Sequence, residues 1–352
     1  MNVQKTAIRR LARAVLAFFG APVPPPPGTQ EAPEPARTGR AKTTAQDAGP
    51  ESQARRLLSL AQVAEASGNY AVCLKLCTAA LALDGLQVAE QAELLITRGL
   101  SFYFLGSSDE AVGDWTRVIE LPGAPVEQVA QALLSRGVRW GEKGETEKEL
   151  ADYTRVIEQL PGAPVEAVAQ ALYNRGVTWG QKGEAEKELA DYTRVIEQLP
   201  GAPVEQVAQA LFNRGVTWGE KGETEMELAD YTRVIEQLPG APVKTVAWAL
   251  ANRGWCNYKR NAYSAFLADT EAALRSYPDL DVAAFNLGLA LLACGRDAEA
   301  LAAYKRAGER FPEAIKTFGL PVLANARKSW LTEDRAEPVM HLLRLLQARR
   351  RR

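Results

Sequence analysis

Histidine is almost missing: the 352-residue chain has one, His341, close to its C-terminal end. Without a second imidazole, the usual general bases and nucleophile triads have no members along most of the chain. The four cysteines (Cys73, Cys77, Cys256 and Cys294) form no CxxC pair and are too sparse for a disulfide scaffold. They read as reduced, buried thiols of a cytoplasmic protein. Neither sign of charge dominates, with 42 Lys and Arg against 43 Asp and Glu. A nucleic-acid surface needs clustered cations, so that class of partner is excluded. No apolar run approaches the roughly 18 residues that a membrane span requires. GxSxG, GxGxxG after a strand, a phosphate-binding loop and HExxH are also absent. Together these gaps predict a non-catalytic chain with no cofactor and no metal.

What the sequence does contain is repetition. Residues 171–209 and 210–248 are identical at 32 of 39 positions, and the phrase Asn174-Arg175-Gly176-Val177-Thr178-Trp179 returns as Asn213-Arg214-Gly215-Val216-Thr217-Trp218. A step of this length with helical content marks a stacked array, in which each unit buries its apolar face against its neighbours. Within one unit, Val165, Val168, Leu172, Val177 and Trp179 form an apolar stripe that predicts a helix over 165–181. Gly183 is placed to end it in the left-handed conformation. A second helix carries Leu189, Tyr192, Val195, Ile196 and Leu199 on one face and stops at Pro200-Gly201.

The marks recur in phase along the chain. Gly288, Gly295, Ala300, Tyr304, Ala307 and Pro312 form one set. Gly137, Trp140, Gly144, Tyr153 and Pro161 form another, repeated from Gly176 and from Gly215, with looser copies at 99–122 and 254–278. The first copy, with Ala61, Gly68, Tyr70, Cys73, Cys77 and Ala80, is degenerate. In residue type and spacing the series resembles the tetratricopeptide repeat. The resemblance implies an all-α, right-handed α-solenoid of stacked antiparallel helix pairs, about seven units over 53–312, with C-terminal capping helices and a basic tail over 313–352. Five of the six steps are 38 or 39 residues where the family uses 34, which lengthens the first helix and its lead-in loop. Glu149, Glu188 and Glu227 stand where the family places a small residue. Either Leu150, Leu189 and Leu228 rotate in to pack, or the glutamate stems snorkel outward.

Arg98, Arg136, Arg175, Arg214 and Arg253 each precede a mid-helix glycine, and 16 residues later stand Asp114, Asp152, Asp191, Asp230 and Asp269. Where the arginine is lost the aspartate is lost with it, at Leu60 with Leu76 and at Leu287 with Ala303. Such joint presence predicts an Arg–Asp bond, within a helix pair or between neighbours.

The resemblance also implies a concave groove lined by first helices and binding a protein or peptide ligand. Asn174, Asn213, Asn252 and Asn286 form a row there, and an amide can grip a peptide backbone through its donor and acceptor together. Tyr173 and Phe212 precede that row, Val177, Val216 and Trp255 follow it, and Trp248 lies nearby. The same residues could instead pack unit on unit, which is the reading for Trp140, Trp179, Trp218 and the Tyr153 series. Cys73 and Cys77 share a helix face but lack a third metal ligand nearby, so they read as core thiols.

Two flanking segments differ in composition. Residues 1–20 place Ile8, Leu11, Val15, Phe18 and Phe19 opposite Arg9, Arg10 and Arg13, as an amphipathic membrane-surface helix would. Residues 21–52 are rich in Pro, Ala, Gly and Thr and read as a disordered linker. The function predicted is a protein–protein interaction scaffold binding a partner peptide or helix. The alternative is a membrane-proximal adaptor anchored through residues 1–20. Oligomeric state leaves no mark in the sequence.

Overall fold

Apolar stripes at helical spacing, broken by glycine every dozen or so residues, become helices throughout the computed structural model, which describes residues 50–349. The proposed amphipathic segment 1–20, residues 21–49 of the proposed linker 21–52 and the tail 350–352 lie outside the described residues, whereas residues 50–52 of that linker open the first helix. Among the described residues there is no strand, and no helix is long and apolar enough to cross a membrane. They fall into two compact units, 50–184 and 185–349.

The first unit holds α1 (Pro50–Ala66) with α2 (Tyr70–Leu81), α3 (Val88–Phe104) with α4 (Ser108–Glu120), α5 (Val126–Glu142) with α6 (Thr146–Glu158), and α7 (Val165–Lys182). The second begins with α8 (Ala185–Thr193), which widens into a π turn over Arg194–Gln198. It continues as α9 (Val204–Lys221) with α10 (Thr224–Glu236), α11 (Val243–Lys259) with α12 (Tyr263–Ser276), and α13 (Asp281–Ala293) with α14 (Asp297–Arg310). A 3-10 turn (Pro312–Ile315), α15 (Gly319–Ala326) and α16 (Glu333–Arg349) close it.

Local chemistry explains the boundaries. Pro125, Pro164, Pro203 and Pro242 sit at the N-caps of the long first helices, where a missing N–H leaves nothing unpaired. Gly183 at φ 78° and Gly222 at φ 86° take the left-handed cap that an L side chain would strain. The π turn has no local cause, because the same Thr-Arg-Val-Ile-Glu sequence is α-helical at the ends of α6 and α10.

Glycine also sets how closely paired helices approach. A Cβ on Gly137 would lie 2.6 Å from the ring of Tyr153, and one on Gly141 would lie 2.7 Å from the carboxylate of Glu149. Four residues forward on α5 correspond to four residues back on α6, so the two helices run antiparallel. Gly215 with Tyr231 and Gly219 with Glu227 repeat the arrangement in the second unit. Tyr153, Tyr192, Tyr231 and Tyr304 are fully buried, as the packing reading expects. Trp140 and Trp179 are half-buried and covered by lysines, with Lys148 Nζ 4.6 Å from the Trp140 ring centre and Lys182 Nζ 5.8 Å from that of Trp179.

Four of the expected Arg–Asp bonds form within the units, and every array arginine but Arg98 has a further arm. Arg98 Nε and Nη2 donate to Asp114 at 2.6 and 2.7 Å, and Arg136 does the same to Asp152. Arg214 with Asp230 and Arg253 with Asp269 repeat it in the second unit. Arg175 and Asp191 belong to different units. The remaining Nη1 reaches back to the preceding second helix. Arg136 donates there to Thr116, Arg175 to Thr154 and Glu158, Arg214 to Thr193 and Glu197, and Arg253 to Thr232 and Glu236. One guanidinium therefore ties its own pair together and fastens that pair to the one before it. Planar, five-donor geometry makes arginine the residue for this task. On the surface, Lys143–Asp109 and Lys182–Glu147 in the first unit, and Lys221–Glu186 and Arg260–Glu225 in the second, add exposed pairs between neighbours. Each contributes little.

Candidate partner-binding face

Successive first helices touch one another: α1 with α3, α3 with α5 and α5 with α7 in the first unit, and α9 with α11 and α11 with α13 in the second. In the second unit the predicted row therefore lies on the neighbouring helices α9, α11 and α13, whereas its first-unit members all lie on α7. Its side chains do not share one environment. Asn174, Val177, Asn252 and Trp255 are half-buried, whereas Asn213, Asn286, Tyr173, Phe212, Val216 and Trp248 are buried.

The amides engage the protein itself. Asn252 Nδ2 donates to the Tyr231 hydroxyl at 3.4 Å, across to the preceding second helix. Asn174 shares a hydrogen bond with the hydroxyl of Tyr153 and accepts one from Gln170 Nε2 at 2.8 Å. Phe212 packs against Tyr231 with ring centres 5.8 Å apart. The half-buried Trp255 stacks on Tyr258 at 4.9 Å and meets the edge of Phe266.

Beside the asparagines lies a polar seam that the spacing alone left undecided. Of the three leucines expected to pack, Leu150 and Leu189 are buried and Leu228 is half-buried. The glutamate stems do not snorkel, however: Glu188 and Glu227 are buried, and the Glu149 carboxylate turns inward against Gly141. Thr178 donates to Glu149 Oε1 at 2.8 Å, and Lys259 Nζ stands 3.1 Å from Glu227 Oε2. The missing side chain at Gly141 or Gly219 provides the room, and a neighbouring helix provides the donor. Burial pushes the Glu149 carboxyl above its ordinary range, opposed by the bonds from Thr178 and Tyr153. This seam was detectable in principle. Thr178 and Thr217 follow their glycines by two residues wherever Glu149 and Glu188 precede them, and Cys256 breaks the series where Lys259 becomes the partner.

The C-terminal segment also reaches this face. Trp330 Nε1 donates to the Tyr258 hydroxyl at 2.9 Å, and a Cβ on Gly319 would lie 3.0 Å from the ring of Phe285. Arg335 holds α16 to the last pair through Asp297 and the carbonyl of Leu292. No periodicity in the sequence signals this return. Cys73 and Cys77 are fully buried in a core cluster with Leu58, Ala61 and Leu94.

Residues 282–314, which span α13 and α14, match the family model of the tetratricopeptide repeat. The match covers one helix pair of the array. Over that stretch the chain carries a tetratricopeptide repeat. No curated protein matches the chain in sequence. Among solved structures it is similar to a tetratricopeptide repeat protein from Parabacteroides merdae, at 16% identity and a TM-score of 0.51, covering 83% of this chain and 98% of that one. It is also similar to a chain of the APC/C hetero-tetramer Cut9–Hcn1, at 14% identity and a TM-score of 0.47. There the alignment covers 74% of this chain and spans about half (54%) of that one. Likeness at such identities speaks for the fold alone.

Proposed function

We propose that this protein is a non-catalytic, cytoplasmic scaffold that takes a partner peptide or helix along the first-helix face of its units. The observation that carries the reading is that first helices touch within each unit, with half-buried Asn174 and Val177 on α7 of the first and Asn252 and Trp255 on α11 of the second. A ligand laid on that face would meet amide and apolar groups together, which suits an extended or helical segment. The buried members, Tyr173, Phe212, Asn213, Val216, Trp248 and Asn286, then form its floor, holding the helices at the spacing the ligand meets.

Photo-crosslinking tests this without disturbing the floor. A benzophenone side chain placed at Val177 in the full chain should capture a partner in cells, whereas one at Met226, exposed on a second helix, should not. Equal capture at both positions, or none at Val177, contradicts the reading.

A further inference from the structure

Four of the five array arginines use Nη1 on the preceding helix; Arg98 does not. Its Nε and Nη2 hold Asp114, while Nη1 makes no hydrogen bond among the described residues. A difference lies four residues beyond the repeated threonine. Thr154, Thr193 and Thr232 are each followed at that distance by Glu158, Glu197 and Glu236, whose carboxylates meet the arginine at 2.9, 2.8 and 2.5 Å. Thr78 is followed there by Ala82. A cavity of about 520 Å³ opens at this place, lined by Thr78, Ala82, Gln91, Arg98, Arg117 and Leu121 among others. Arg98 is mostly buried, at 13% side-chain exposure, whereas Arg117 is exposed at the rim, 3.6 Å from Asp114.

We propose that this cavity is a binding site for an acidic side chain of a partner protein, whose carboxylate takes the place against Arg98 that Glu158, Glu197 and Glu236 occupy in the later repeats. The array itself shows what the niche accepts: a carboxylate on a short aliphatic stem, next to a threonine hydroxyl. Leu81, Leu95 and Leu121 suit the stem, and Gln91 and Arg117 offer further donors. Glu120 also lines the cavity, so the site takes one carboxylate and disfavours a strongly acidic cluster. The site is built from α2, α3 and α4 and is independent of whether the first-helix face binds a ligand.

The test uses the full chain and supplies the missing group in cis. Ala82 is exposed at the end of α2, with helical backbone angles of φ −87° and ψ −4°, so Ala82→Glu is accommodated without repacking. A short blocked peptide with a single glutamate is titrated and followed by NMR shifts of the amides at 78–82 and 117–122. It should perturb the wild-type chain, bind at least about tenfold more tightly than its glutamine counterpart, and lose its effect in Ala82→Glu. Ala82→Glu should also melt higher than Ala82→Gln. Equal binding of the two peptides, undiminished binding to Ala82→Glu, or binding of free glutarate but not of the peptide each overturns the proposal.

Discussion

The niches beside Arg98 and Leu287 are open, whereas those beside Arg214 and Arg253 are sealed, and the comparison shows what holds this array together. In the sealed repeats a guanidinium meets an aspartate on its own pair and a threonine and glutamate on the pair before. Beside Arg98 the glutamate is replaced by Ala82 and the bond to the threonine is not made, and the cavity keeps a cationic wall. At the last pair Leu287 and Ala303 replace the arginine and aspartate, and a smaller cavity of about 210 Å³ is lined largely by apolar groups, with Arg306 and Arg310 alongside. The repeats are thus interchangeable in backbone and different in what their seams present.

Removing a sealing arginine should have the largest effect. Arg214→Ala leaves the buried Asp230 uncompensated and is expected to cost about 3–5 kcal/mol in urea denaturation. A loss no greater than that of an exposed pair would erase the distinction between sealed and open repeats. Next comes the close approach of paired helices. Gly215→Ala puts a methyl 2.8 Å from Tyr231 Cε1 and should cost about 1–3 kcal/mol, whereas Gly222→Ala is penalised only through its positive φ.

A pH-dependent effect should be smaller. The folded-state pKa of Glu149 is raised by burial, so the folded chain holds that proton more tightly than the unfolded one does. Its contribution is therefore most favourable at low pH and is lost as pH rises through the raised value. Glu149→Gln should flatten that decline, with melting temperature relative to wild type improving between acidic and neutral pH. An unchanged pH profile argues that the carboxylate is solvated. The smallest effect belongs to Lys143→Ala, which breaks the exposed pair with Asp109 and should cost no more than about 1 kcal/mol.

Much of this was legible because it is periodic. The stripe from Val165 and the glycine at 183 give a helix over 165–181, and the helix observed is Val165–Lys182. Joint gain and loss of Arg and Asp 16 residues apart marks the bond within each pair. The third arm was harder to read, since Thr193 and Glu197 belong to the repeat before Arg214 and their spacing shifts with the step. The facing of the asparagines was not legible at all: an amide between two helices looks the same in sequence whether it meets Tyr231 or a ligand. Nor was the return of Trp330 onto Tyr258, 72 residues away, because that contact occurs once and follows no period.

The central claim is that a buried arginine locks the middle helix pairs, and a double-mutant cycle at Arg214 and Asp230 reads it most directly. Wild type, Arg214→Ala, Asp230→Ala and the double variant are unfolded in urea and compared. The double variant is expected to lose clearly less stability than the two single losses added together, because the second truncation removes a partner already stranded. Losses that simply add would mean that the two side chains act apart, and that packing alone closes the repeats.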